Sequence, residues 1–258
     1  MGLLRGRGNA LRSDAKLFMA GYPRCANTFT RTAFLMANPG VPLLTHQCIP
    51  SFVIRMAQSG VPGLLLIRNP LDSAVSWAIH QNLSIQSDQV RSRFSSAVWG
   101  RHRDITIEEA LAYWNDYHEA LLPIRNALLI AKFEDVTNDF GDVMRAFNAR
   151  WDTSYTPFRH TVENAARCFE FTEEEHREKD GSVLEMQVCR PSAKRRLIKE
   201  ALMENLGNST VLSRELKRAN ELYTEFVNPR KVPRSSTAAV PALSSEDSSV
   251  FHAEVVNA

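Results

Sequence analysis

The sequence predicts an α/β protein in three layers, with a central parallel sheet flanked by helices. Two observations carry this. Runs such as Leu17–Gly21 and Gly63–Ile67 are apolar throughout. A strand exposed on one face would alternate, so these read as strands covered on both faces. Segments of helical periodicity lie between such runs, as the crossovers of a parallel sheet require.

The elements follow in order. Residues 1–15 are rich in Gly, Arg and Asn and form a flexible N-terminus. Leu17–Gly21 is a strand and Asn27–Ala37 a helix, stopped by Asn38-Pro39-Gly40. Residues 41–45 are extended, 51–58 helical, 63–67 a second buried strand and 71–80 a helix. The polar stretch 81–104 reads as a long surface loop. Ile107–Leu121 is amphipathic, with Glu108 and Glu109 in its first turn. Residues 127–133 are strand-like and 140–149 helical; a mixed stretch then leads to helices at 193–206 and 211–227. This gives a single domain over 16–228, followed by a Pro/Ser/Ala-rich tail at 229–258 that is expected to be disordered.

Composition bounds the function. With 258 residues, 44% hydrophobic and 23% charged, the chain can bury a sizeable core. A net charge of +2 argues against nucleic acid as the partner. No apolar run reaches the ~18 residues of a transmembrane span. The N-terminus has no apolar signal region, and Met1-Gly2 lacks the Ser or Thr of a myristoylation signal because Gly6 stands there. A cytoplasmic location is the resulting expectation. Cys25, Cys48, Cys168 and Cys189 are scattered, which suggests neither a zinc ribbon nor a disulfide framework; His46 with Cys48 is the one weak metal pairing.

Charge is distributed unevenly. Ala15 to Leu71 contains no Asp or Glu, yet carries Lys16, Arg24, Arg31, Arg55 and Arg68. Burial alone can remove acids from a segment, and so can a surface kept for an anion. The gap disfavours a magnesium site, which normally uses a carboxylate.

Three motifs sit in this span. "GYPRCANTFTRTAF" is a turn between a strand and a helix, where backbone N–H groups, the Thr28 and Thr30 hydroxyls and the Arg24 guanidinium suit phosphate or sulfate. The Walker pattern fails, since Ala26 and Asn27 stand where Gly and Lys would be. "LLLIRNPLDSAVSW" is a buried strand ending in Arg68-Asn69-Pro70, then a helix with Asp72 and Ser76. "LLTHQCIP" places His46 between these two, and imidazole can accept a proton near neutrality.

Together the motifs resemble sulfotransferases that use 3'-phosphoadenylyl sulfate (PAPS). The first is similar to the family's Y-P-K-S-G-T-T-W loop, through Tyr22, Pro23 and Thr28, with Arg24, Cys25, Ala26, Asn27 and Phe29 as replacements. The second matches R-N-P-x-D-x-x-x-S at Arg68, Asn69, Pro70, Asp72 and Ser76. The third resembles K-T-H-L-P at Thr45 and His46, with Leu44 near the place of a lysine. "AKFEDV" resembles a strand ending in Y-E-D, which makes Glu134 and Asp135 structural. Of the late R-K-G-x-x-G-x-W-K loop only Arg190 aligns, with Lys194 and Arg195 nearby.

The resemblance implies a P-loop NTPase-like sulfotransferase fold and a PAPS-dependent transferase. PAPS would be the sulfonate donor and no metal would be needed. The loop of Arg24, Cys25, Ala26, Asn27, Thr28 and Phe29 would hold the 5'-phosphosulfate, with Phe29 or another aromatic near the adenine. Arg68 and Ser76 would grip the 3'-phosphate in a separate pocket, and Arg190 would clamp phosphates. His46 would be the general base and Arg24 would stabilise the leaving oxygen. Asn27 is expected to take the unusual dihedral that a glycine would otherwise supply. The acceptor would be a small molecule, carbohydrate or lipid. The span between Arg24 and His46 is shorter than in steroid- and phenol-acting members, and 81–104 would replace the missing pocket wall. The alternatives are a P-loop-type small-molecule kinase and a non-catalytic nucleotide-binding relative.

Overall fold

The computed structural model describes residues 15–86, 105–183, 193–204 and 209–228. Four parallel strands form the sheet: β1 (Leu17–Gly21), β2 (Leu43–Gln47), β3 (Gly63–Ile67) and β4 (Leu128–Lys132), in the order β2-β1-β3-β4. Every residue of β1 and β3 is buried, which accounts for their unbroken apolar sequence. The helices are α1 (Asn27–Ala37), α2 (Pro50–Gln58), α3 (Pro70–Gln86), α4 (Ile107–Leu121), α5 (Phe133–Trp151), α6 (Val162–Asp180), α7 (Ala193–Glu204) and α8 (Thr210–Val227), with a 3-10 turn at Leu122–Ala127. The expected three-layer arrangement, a central parallel sheet flanked by helices, is the one observed.

The order fixes where a ligand can sit. From β1 the chain crosses to β2 on one side and then returns to β3 on the other. The loop after β1 therefore lies at the point where the winding reverses, the usual binding crevice of an open parallel sheet. Gly21, the last residue of β1, leaves no room for a side chain. An added Cβ would lie 2.9 Å from the Leu66 carbonyl oxygen of β3 and 2.9 Å from Asn27 Oδ1. Close approach, not dihedral freedom, requires glycine here.

Several boundaries differ from the expectations. Helix α3 runs to Gln86, into the stretch read as loop; residues 87–104 lie outside the described set. Helix α5 begins at Phe133 rather than residue 140, but Asp139 is non-helical (φ −151°, ψ 89°) and its Oδ1 accepts from Asp142 N–H at 3.2 Å. The expected helix is thus the part that Asp139 caps. Helix α6 falls in the stretch read as mixed. Its buried side includes Cys168, Thr172 and Glu173, too polar a set to reveal a 3.6-residue period. Its ends do follow the rules, with Thr161 accepting from Asn164 N–H at 3.2 Å and Gly181 closing it at φ 76°.

Helix α4 carries a buried histidine. It starts with a reciprocal cap between Thr106 and Glu109. Farther along, His118 stacks on Trp114 with ring centroids 3.7 Å apart. His118 Nδ1 lies 2.8 Å from the Trp114 carbonyl, which can only accept, so Nδ1 carries the proton; Nε2 is buried and finds no hydrogen-bond partner among the described residues. Burial lowers the pKa to about 3, against a smaller upward effect of that carbonyl bond.

Two outcomes follow. Gly21→Ala should lower stability by about 1–3 kcal/mol in urea unfolding, as overpacking against backbone does; an unchanged midpoint would contradict the close approach. Because the folded-state pKa of His118 lies below its usual 6.5, the unfolded chain binds a proton that the native fold does not as pH falls below that value. Stability should therefore fall as pH drops from 6.5 toward 4, and His118→Phe should make that dependence shallower when urea midpoints are compared across pH.

Candidate functional site

Three non-glycine residues with left-handed backbone meet at the ends of β1 and β2: Arg24 (φ 69°), Ala26 (φ 68°) and His46 (φ 59°). Such dihedrals are uncommon outside glycine and gather where structure is over-determined. Ala26 is the N-cap of α1 and makes no side-chain cap; α1 has no acid in its first turn. The first-turn amides are thus left for an anion. The expectation that Asn27 takes the unusual dihedral is corrected: Asn27 is the first helical residue. Its Nδ2 instead donates back to the carbonyls of Tyr22 (3.1 Å) and Gly21 (3.4 Å), tying the helix start to the strand end.

On the β3 side, Arg68 follows the strand and its Nη1 donates to the Arg24 carbonyl at 3.1 Å. The Arg68 guanidinium lies 4.2 Å from the centre of the Phe133 ring, a stacking that the sequence motifs did not reveal. Arg24 Nε donates to Ser76 Oγ on α3 at 3.3 Å. The expected separate anion pockets thus touch through Arg24 and Ser76. Asn69 Oδ1 accepts from Asp72 N–H at 3.1 Å and caps α3, while the Asp72 carboxylate pairs with Lys199 of α7. Arg190 and the side chain of Lys194 lie outside the described residues.

On the β2 side, pairing with β1 runs Phe18 to Leu44 but Ala20 to Gln47, so the register slips around Thr45 and His46. Such bulges re-aim side chains. His46 Nε2 lies 3.2 Å from Thr28 Oγ1, and Nδ1 lies 3.1 Å from Thr45 Oγ1. One loop therefore bears on both sides: Thr28 on His46, Arg24 on Ser76 and Arg68. Although the surface of His46 reaches solvent, surrounding protein desolvates the ring, and with the Arg31 charge as the second cause this lowers its pKa to about 4. Water at the surface limits how far that fall goes. The imidazole is neutral at pH 7 in either case.

Other residues of the loop have structural roles. The Cys25 side chain is fully buried, 3.6 Å from Ser73 Oγ, and burial pushes its pKa up to about 11. Only its backbone can serve a ligand. Phe29 is 8% exposed and packs on Phe158, His160 and Phe169, with centroids 6.2, 5.6 and 5.8 Å away. It is a core residue rather than an open stacking face, which corrects the expectation for the adenine. Cys48 Sγ donates to the His46 carbonyl at 3.6 Å, and burial pushes the thiol up to about 12. Among the described residues, no group of three His, Cys, Asp or Glu is placed to hold a metal, and no helix is long and apolar enough to cross a membrane. A cavity of about 270 Å³ lies against β4, lined by Arg125, Leu128 and Phe226 among others; it shares no residue with the loop.

If Ala26 is held left-handed, Ala26→Gly should remove about 1 kcal/mol of strain, partly offset by unfolded-chain entropy. Thermal unfolding should show Ala26→Gly at least as stable as wild type and Ala26→Val less stable. A clear loss in the glycine variant would contradict the assigned backbone.

No family model and no curated protein matches the chain. Among solved structures the chain is similar to mouse sulfotransferase SULT7A1 complexed with PAP, at 14% identity and a TM-score of 0.37, over 80% of this chain and 89% of that one. A likeness this distant assigns neither residues nor a reaction.

Proposed function

We propose that this protein transfers a sulfonate group from PAPS to a hydroxyl or amine of a small molecule, carbohydrate or lipid. The observation that carries this reading is the convergence on one loop: Thr28 contacts His46, while Arg24 contacts Ser76 and, through its carbonyl, Arg68. A neutral proton acceptor thus stands on one side of an anion-compatible helix start and two guanidinium groups on the other. The complete match of Arg68, Asn69, Pro70, Asp72 and Ser76 to the family's 3'-phosphate element supports the choice of nucleotide.

The donor supplies the electrophilic sulfur and a phosphate leaving group. The residues of the chain do the rest. His46 Nε2 takes the proton of the acceptor as its oxygen or nitrogen forms a bond to sulfur; Thr45 accepts from Nδ1–H and holds the ring in that tautomer. As the bond from sulfur to the bridging oxygen breaks, the electron pair moves to that oxygen. Arg24 and the α1 amides are the donors available to stabilise it. Arg68 is fixed by Phe133 and the Arg24 carbonyl, so its fork is oriented before binding. Arg68 and Ser76 take the 3'-phosphate.

Two measurements test this. 3',5'-ADP should raise the melting temperature more than 5'-AMP does, and Arg68→Ala should abolish the difference; equal shifts in wild type would count against 3'-phosphate recognition. His46→Ala should lower kcat by about 10²–10⁴-fold while 3',5'-ADP binding is kept. Since the His46 pKa is lowered, the acid limb of kcat/KM should fall below pH 6.5, with activity rising as pH rises through it.

A further inference from the structure

Arg31 lies two residues beyond Phe29, the last position compared with the family's loop, and its charge is felt at the His46 ring. Thr28 and Arg31 lie three residues apart on α1 and so share a helix face. Thr28 touches His46 at 3.2 Å. Arg31 is engaged by a carboxylate in a two-pronged pair: Nη1 donates to Glu175 Oε2 at 3.0 Å and Nη2 to Oε1 at 3.2 Å. The side chains of Arg31 and Glu175 are 19% and 36% exposed, so the pair is partly shielded from water. One residue on from Arg31 and three residues before Glu175, Thr32 Oγ1 lies 3.3 Å from Thr172 Oγ1, in a second polar contact between α1 and α6. The acid-free span from Ala15 to Leu71 thus borrows its counter-charge from α6, 144 residues along the chain.

We propose that Arg31, clamped by Glu175, is the positioning residue of this site: it fixes the α1 face that brings Thr28 to His46 and holds a positive charge on that face. The proposal rests on His46 as the proton acceptor. A guanidinium close by opposes a second positive charge on the ring, in the same direction as the loss of hydration. Glu175 holds the cation in place while tempering its field. Among the described residues, the other charged or titratable groups around His46 are few. The neighbouring strand β1 has none, α2 offers only Arg55, and α1 only Arg31 itself. The Cys48 thiol and, through the Cys48 carbonyl, the Tyr113 hydroxyl are both pushed up by burial and stay neutral.

The test follows the His46 ring directly, by NMR titration of the histidine ring protons in the full chain, alongside the pH profile of kcat/KM for sulfonate transfer. In Arg31→Gln the His46 midpoint should rise by about one pH unit, and the acid limb should rise with it. In Glu175→Gln both should fall. Arg31→Lys should restore the midpoint but, lacking the fork, leave kcat reduced. If the His46 midpoint is the same in wild type and both charge-removing variants, the proposal is overturned. Should Arg31→Gln fail to fold, Glu175→Gln alone decides. A midpoint that moves as expected in a protein with no transfer activity would keep the Arg31–His46 coupling and sink the enzymatic reading. An active enzyme with an unmoved midpoint would do the reverse.

Discussion

Backbone strain without glycine is the constraint on which the site depends. Arg24, Ala26 and His46 all sit in the left-handed region; the only other described non-glycine residue there, Asp152, closes a helix. Each such residue costs on the order of 1 kcal/mol, so the surroundings must hold it. They do so with specific bonds. The Arg24 carbonyl is taken by Arg68, the Ala26 carbonyl by Thr30 N–H at 3.0 Å and Oγ1 at 2.8 Å, and the His46 carbonyl by Cys48. Two of the residues to which the proposed reaction assigns roles, Arg24 and His46, are thus ones whose backbone the fold must force.

Charge is organised on the same plan. The acid-free span puts no carboxylate on α1 or in the loop before it, and the acids that pair with cations stand on other elements. Glu175 reaches Arg31 from α6, and Asp72 pairs with Lys199 from α7.

Much of this was legible in the sequence. Apolar runs revealed β1 and β3 because burial on both faces leaves no alternation to misread, and Arg68, Asp72 and Ser76 stood out because five specified residues share one motif. Helix α6 was not legible, since its buried side includes Thr172 and Glu173, and with it went the partner of Arg31. Nor could the sequence show that Phe29 and Cys25 turn into the core. A motif fixes the order of side chains along a loop, while the loop's dihedrals decide which of them face out.

The strand order carries a last implication. The two flanks of the loop come from β2 and β3, which do not touch; β1 lies between them. A molecule that engages both flanks would act as a cross-brace over the end of the sheet. Its grip would depend on the middle strand staying in register with both outer ones. Occupancy and the mechanical integrity of the three strands would then be two readouts of a single equilibrium.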